Sequence, residues 1–150
     1  VVMLSTTTNY WYDFQGWSGD ADCSDGFLAM NDHMACTATF VLAPSHEVTV
    51  EATGNGSGMI RWHHPSGNVI DSTPPYSNTV RPGDTLTLEP LPDTGSVFAG
   101  WSGHHDCADG VLTVNSDMTC IAQFDLESGT DLIFDDGFET GSLSAWTTGS

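Results

Sequence analysis

The sequence predicts an all-β repeat protein in which each repeat carries one disulfide. Three observations carry that expectation. The chain repeats itself, its apolar residues alternate with a period of two, and its four cysteines fall into two equally spaced pairs.

Self-similarity comes first, because it sets the units in which everything else is read. Residues 1–42 align with 85–126 without a gap, Trp17 and Trp101 standing 84 residues apart. Phe14-Gln-Gly-Trp-Ser-Gly matches Phe98-Ala-Gly-Trp-Ser-Gly, and Asp22-Cys-Ser-Asp-Gly matches Asp106-Cys-Ala-Asp-Gly. Asn31, Met34, Cys36, Ala38 and Phe40 return as Asn115, Met118, Cys120, Ala122 and Phe124. In this register residues 43–126 make one complete repeat, 1–42 are the C-terminal half of a preceding one, and 127–150 match neither. A half-repeat exposes a partial core and an unpaired strand edge, which invites association. The expectation is a piece of a longer protein whose other residues complete it, the alternative being completion by another chain.

Strand patterning supports the fold class. In His46–Thr53, Val48, Val50 and Ala52 alternate with Thr49, Glu51 and Thr53, and Leu86 and Leu88 alternate with Thr85, Thr87 and Glu89. Cys120, Ala122 and Phe124 share one face, as do Cys36, Ala38 and Phe40. Between such runs lie turn formers: Gly54-Asn-Gly-Ser-Gly58, His64-Pro-Ser-Gly-Asn68, Arg81-Pro-Gly-Asp84 and Pro92-Asp-Thr-Gly95. No helical period stands out.

The cysteines follow the repeat. Cys23/Cys36 and Cys107/Cys120 share one spacing, which argues for bridges within each unit, Cys23–Cys36 and Cys107–Cys120. Each would close a loop of about 14 residues, worth roughly 3 kcal/mol in the chain-entropy treatment. Such bridges persist in oxidising compartments, so an extracellular or cell-surface location is expected. Zinc would need ligand pairs at short spacing, and the sequence has no C-x-x-C pair.

Charge excludes several functions. Twenty acidic residues face only Arg61 and Arg81, with no lysine, for a formal net charge of −18. Two arginines cannot supply the basic footprint of a nucleic-acid binder or of adhesion to anionic lipid. Without lysine there is no Schiff-base chemistry, no P-loop lysine and no Lys–Asn isopeptide bond. No run of about 18 apolar residues is present, so membrane insertion by a helix is not expected. The N-terminal Val1-Val2-Met3-Leu4 does not read as a signal peptide, so any export signal would lie outside this sequence.

The motif Phe-x-Gly-Trp-Ser-Gly, followed by Asp-Cys-x-Asp-Gly and then Cys-x-Ala-x-Phe, resembles the divergent internalin B-repeat family. The resemblance covers about 42 residues of the first unit and most of 43–126. It implies small β-grasp-like modules strung along bacterial surface and secreted proteins, with spacing, scaffold or adhesive roles and no catalytic residues. The stretch Met59–Ile70 looks like the family's glycine-rich hairpin, with unusually bulky Arg61-Trp62-His63-His64. The tail 131–146 resembles a DGFE-x-G…W segment near the C-termini of exported bacterial proteins, and also the first strand of some β-sandwich carbohydrate-binding modules. It could also be a strand donated to a neighbour, since Leu132, Phe134 and Trp146 need burial.

Candidate chemistry is sparse. Gly16-Trp-Ser-Gly-Asp20 lacks the final glycine of a nucleophile elbow, and position 104 is His. Calcium is the stronger candidate, with Asp20, Asp22 and Asp25 in one loop, Asp106 and Asp109 at the matching site, and Asp135, Asp136 and Glu139 as a weaker set. Asp22 and Asp106 could instead cap backbone amides beside the disulfide. His63-His64 and His104-His105 would point to opposite faces of a strand and so could not chelate in pairs. Tyr10, Trp11, Tyr12 and Trp62 are candidate contacts for polysaccharide or a neighbouring unit. Asn55-Gly-Ser57 is a glycosylation sequon and the run Ser5–Thr8 could carry O-linked sugar.

The expected function is a non-catalytic extracellular structural or adhesive repeat module, a segment of a stalk or filament associating with itself or with neighbouring repeats. The alternative is a carbohydrate-binding accessory module of a secreted enzyme.

Overall fold

A computed structural model describes residues 1–128. Apart from two three-residue 3-10 turns, the regular structure of the described residues is entirely β. The chain divides into two compact units, Val1–Ser45 and a second beginning at His46. Leu132, Phe134, Trp146 and the acidic set Asp135, Asp136 and Glu139 lie outside the described residues.

In the first unit, β1 (Val2–Met3) pairs antiparallel with β3 (Phe27–Leu28), and β2 (Tyr12–Gly19) pairs antiparallel with β4 (Cys36–Leu42). A 3-10 turn, Ala21–Cys23, leads from β2 toward β3. The second unit contains β5 (His46–Thr53), β6 (Gly58–His63), β7 (Val69–Ser72), β8 (Tyr76–Val80), β9 (Thr85–Pro92), β10 (Ser96–Gly103), β11 (Val111–Thr113) and β12 (Met118–Leu126). These form two four-stranded sheets, ordered β10-β12-β5-β8 and β11-β9-β6-β7. Every pairing is antiparallel except one, the parallel contact of β5 with β12 at the centre of the first sheet.

One core lies between the two sheets. Alternation turns Val48 and Val50 of β5, and Met118, Cys120, Ala122 and Phe124 of β12, to a single face. They meet Ile60 and Trp62 of β6, Leu86 and Leu88 of β9 and Leu112 of β11. A two-sheet sandwich of this kind needs no helix to cover either inner face.

The Phe-x-Gly-Trp motif is a β-bulge. The register of β10 on β12 slips between Phe98 and Gly100, and that of β2 on β4 slips at the same place, between Phe14 and Gly16. In a regular strand Phe98 and Trp101, three residues apart, would face opposite sides. The extra residue returns them to one side, where their rings lie 5.3 Å apart, and Phe14 and Trp17 lie 5.4 Å apart. Gly100 holds φ at +150° and Gly16 at +136°, backbone that a side chain disfavours.

Candidate functional site

The aspartates expected to hold calcium are placed by the disulfide loop. Disulfides join Cys23 to Cys36 and Cys107 to Cys120, one within each unit. Each loop opens with a 3-10 turn that buries its first cysteine. The chain then reverses, leaving backbone amides without strand partners, and the aspartates supply acceptors. Asp106 Oδ2 accepts from the Thr113 amide at 2.7 Å and Asp109 Oδ1 from the Val111 amide at 3.0 Å. In the first unit Asp22 Oδ2 accepts from the Ala29 amide at 2.6 Å and Asp25 Oδ1 from the Phe27 amide at 3.0 Å. Asp20 Oδ2 also accepts from the Ala35 amide, at 2.6 Å.

Each of these carboxylates places one oxygen on a backbone amide. No group of three or more His, Cys, Asp or Glu side chains converges to hold a metal among the described residues. The geometry thus gives Asp22 and Asp106 the capping role expected beside the disulfide, and Asp20, Asp25 and Asp109 cap amides in the same way.

Trp62 corrects one expectation. It is fully buried, and its Nε1 donates to Ser72 Oγ at 2.8 Å, so it presents nothing to a polysaccharide. Tyr76 packs edge-on against it at 5.2 Å. The cause is visible in the alternation, since Trp62 shares the inward face of β6 with Gly58 and Ile60 while Met59 and Arg61 are half-buried and His63 is exposed. Tyr10 and Trp11 are half-buried and stack edge-on at 4.8 Å, and Tyr12 remains exposed.

The histidines divide in three. His63 and His64 do face opposite ways, one exposed and the other buried. His64 staples the turn after β6, with Nε2 2.9 Å from the Thr79 carbonyl and Nδ1 2.7 Å from Ser66 Oγ. This Ser–His contact spans two residues within one turn, and the backbone carbonyl takes the position that a catalytic carboxylate would need. His104 and His105 differ from the expectation, because they sit at the start of a 3-10 turn rather than in a strand, and their rings approach to 4.2 Å. His104 Nδ1 accepts from the Asp106 amide at 3.2 Å.

The outer face of the second sheet carries the principal ion pair. Arg61 and Asp71 are register partners on β6 and β7 and meet through two 2.8 Å contacts. The bidentate hydrogen bond with Arg61 holds the Asp71 carboxyl below its ordinary value, reinforced by the same guanidinium's charge. On the same face His63 Nε2 lies 3.2 Å from Glu89 Oε2.

A cavity that sequence reasoning missed lies in the first unit. It has a volume of about 290 Å³ and is lined by Thr7, Thr8, Asn9, Tyr12 and Phe40. Around it the unit exposes large apolar side chains, with Phe40 41% and Leu42 70% accessible. The signal was present in the repeat register, which pairs Phe40 with the core residue Phe124.

Among the described residues no helix is long and apolar enough to cross a membrane. No curated protein and no solved structure matches the chain. A family profile, the divergent InlB B-repeat domain, matches residues 46–128. That span holds the whole two-sheet unit, the bulged Phe-x-Gly-Trp motif and the Cys107–Cys120 loop, and the chain belongs to the divergent InlB B-repeat family.

Proposed function

We propose that this chain is a non-catalytic structural module of a bacterial surface or exported protein, working as one of several repeats in series. One observation carries the reading: the same bulged strand, capped disulfide loop and closing strand recur at an 84-residue offset in both units. Repeats that keep register, bridge and caps but vary their surface residues act as spacers between whatever lies at either end. Supporting the extracellular location, all four cysteines are in disulfides, an economy suited to an oxidising compartment. The acidic surface, with 20 carboxylates against two arginines, favours repulsion between neighbouring chains and solubility outside the cell.

The deciding experiment labels intact and permeabilised cells of the source bacterium with an antibody against residues 46–126. Labelling of intact cells or of the culture medium is expected. Labelling confined to permeabilised cells, with the cysteines reduced, would sink the reading.

A further inference from the structure

The cavity beside Phe40 is explained by the second unit. In the 84-residue register its lining positions Thr7, Thr8, Asn9, Tyr12 and Phe40 correspond to Leu91, Pro92, Asp93, Ser96 and Phe124. In the second unit those five positions all contact one feature, the glycine turn that joins β5 to β6. Gly58 is the register partner of Pro92. The Asp93 amide donates to the Ser57 carbonyl at 3.0 Å, and the Ser57 amide donates to Ser96 Oγ at 3.0 Å. A side chain on Gly58 would stand 2.5 Å from Phe124 Cε1 and 2.8 Å from the Leu91 carbonyl oxygen, so backbone fills that space. The first unit keeps the seat for such a turn.

Two further differences point the same way. Val2 and Met3 pair with Leu28 and Phe27 as Leu86 and Thr87 pair with Leu112 and Val111. Beyond that point the copies diverge, since Leu88–Pro92 continue as strand and their counterparts, residues 4–8, do not. What holds Leu88–Pro92 is β6, through the register Trp62↔Leu88 to Gly58↔Pro92. Likewise β12 has a parallel neighbour in β5, whereas β4 pairs only with β2 among the described residues. Phe124 is 1% accessible and its counterpart Phe40 is 41% accessible.

We infer that the first unit is built to receive a half-repeat of the chemistry of residues 46–84, supplied by a neighbouring repeat of the same family. Its first strand lies parallel to Cys36–Leu42 and its second lies antiparallel to residues 4–8. The glycine turn between them occupies the cavity. A second copy of this chain is the poorer donor, because its own 46–84 segment already buries Val48, Val50, Ile60, Trp62 and Val80 completely. Withdrawing that segment would return a whole core to water.

The inference rests on the reading of the chain as repeats in series, and its test is independent of where the protein resides. A second copy of residues 43–84 is fused directly ahead of Val1 of the full chain, and amide hydrogen exchange is followed. Exchange across Cys36–Leu42 and residues 4–8 should slow by about a hundredfold or more relative to the parent chain. Gly58→Val in the added copy alone should abolish that gain and leave the second unit's protection unchanged. Unaltered exchange in the first unit, with the second unit intact, would overturn the inference, as would a gain that survives Gly58→Val. Concentration-dependent protection of Cys36–Leu42 in the unfused chain would overturn it too, by giving the face to a second copy. Each of these failures leaves the cell-labelling test of the series reading untouched.

Discussion

Trp62 Nε1 and Ser72 Oγ meet at 2.8 Å inside the core, the indole fully buried and the serine 7% accessible. The contact joins β6 to β7 and satisfies a donor that has no access to water. Ser72→Ala should therefore leave the indole N–H unpaired and cost about 1–3 kcal/mol. Urea denaturation checks this, and Trp62→Phe with Ser72→Ala together should recover part of the loss because neither polar partner remains.

The two copies of the terminal phenylalanine should respond unequally. Phe124→Ala empties a core position and should cost about 3–5 kcal/mol, while Phe40→Ala in the chain as it stands should cost well under half of that. Equal losses, measured by denaturation of each variant, would mean that Phe40 is already covered.

Asp106 separates capping from calcium binding. Asp106→Ala removes the acceptor of the Thr113 amide and should lower stability by about 1 kcal/mol. The loss should be the same in excess calcium and in chelator. A loss seen only with calcium would assign the loop to the metal instead.

The Arg61–Asp71 pair predicts an acid-side dependence. Asp71 titrates below its ordinary value in the folded chain, so the pair's contribution is complete above the unfolded carboxylate value. It is lost as pH falls through the lower folded value. Arg61→Gln should flatten that part of the stability profile and bring the Asp71 carboxyl back toward the ordinary range, as carboxyl NMR would show.

Much of this was legible in the sequence, and for definite reasons. Equal cysteine spacing specified both bridges, and the gapless register specified which strands would recur. Trp62 was misread because Arg61, His63 and His64 surround it with polar neighbours, although its alternation with Ile60 places it inward. The aspartates left two readings open in the sequence, because a run of carboxylates in a turn looks alike whether it faces a cation or its own backbone. The offset of seven residues, from Asp22 to Ala29 and from Asp106 to Thr113, shows the difference only once the loop is closed. The parallel pairing of β5 with β12 was out of reach, since it joins residues about 70 positions apart and leaves no local mark.

That pairing has a mechanical consequence. His46 opens β5 and Leu126 ends β12, and the strands run side by side in the same direction. Tension applied at those two ends slides one strand along the other, so the bonds from Val48↔Met118 to Thr53↔Gln123 are loaded together. Tension across Ser96 and Leu126, which are register partners at one end of the antiparallel pair, instead peels bonds away singly. Extension of single molecules should show a higher rupture force for the first geometry than for the second, rupture being governed by the unfolding rate under load. A chain of such units would bear load along its length while remaining easy to open sideways.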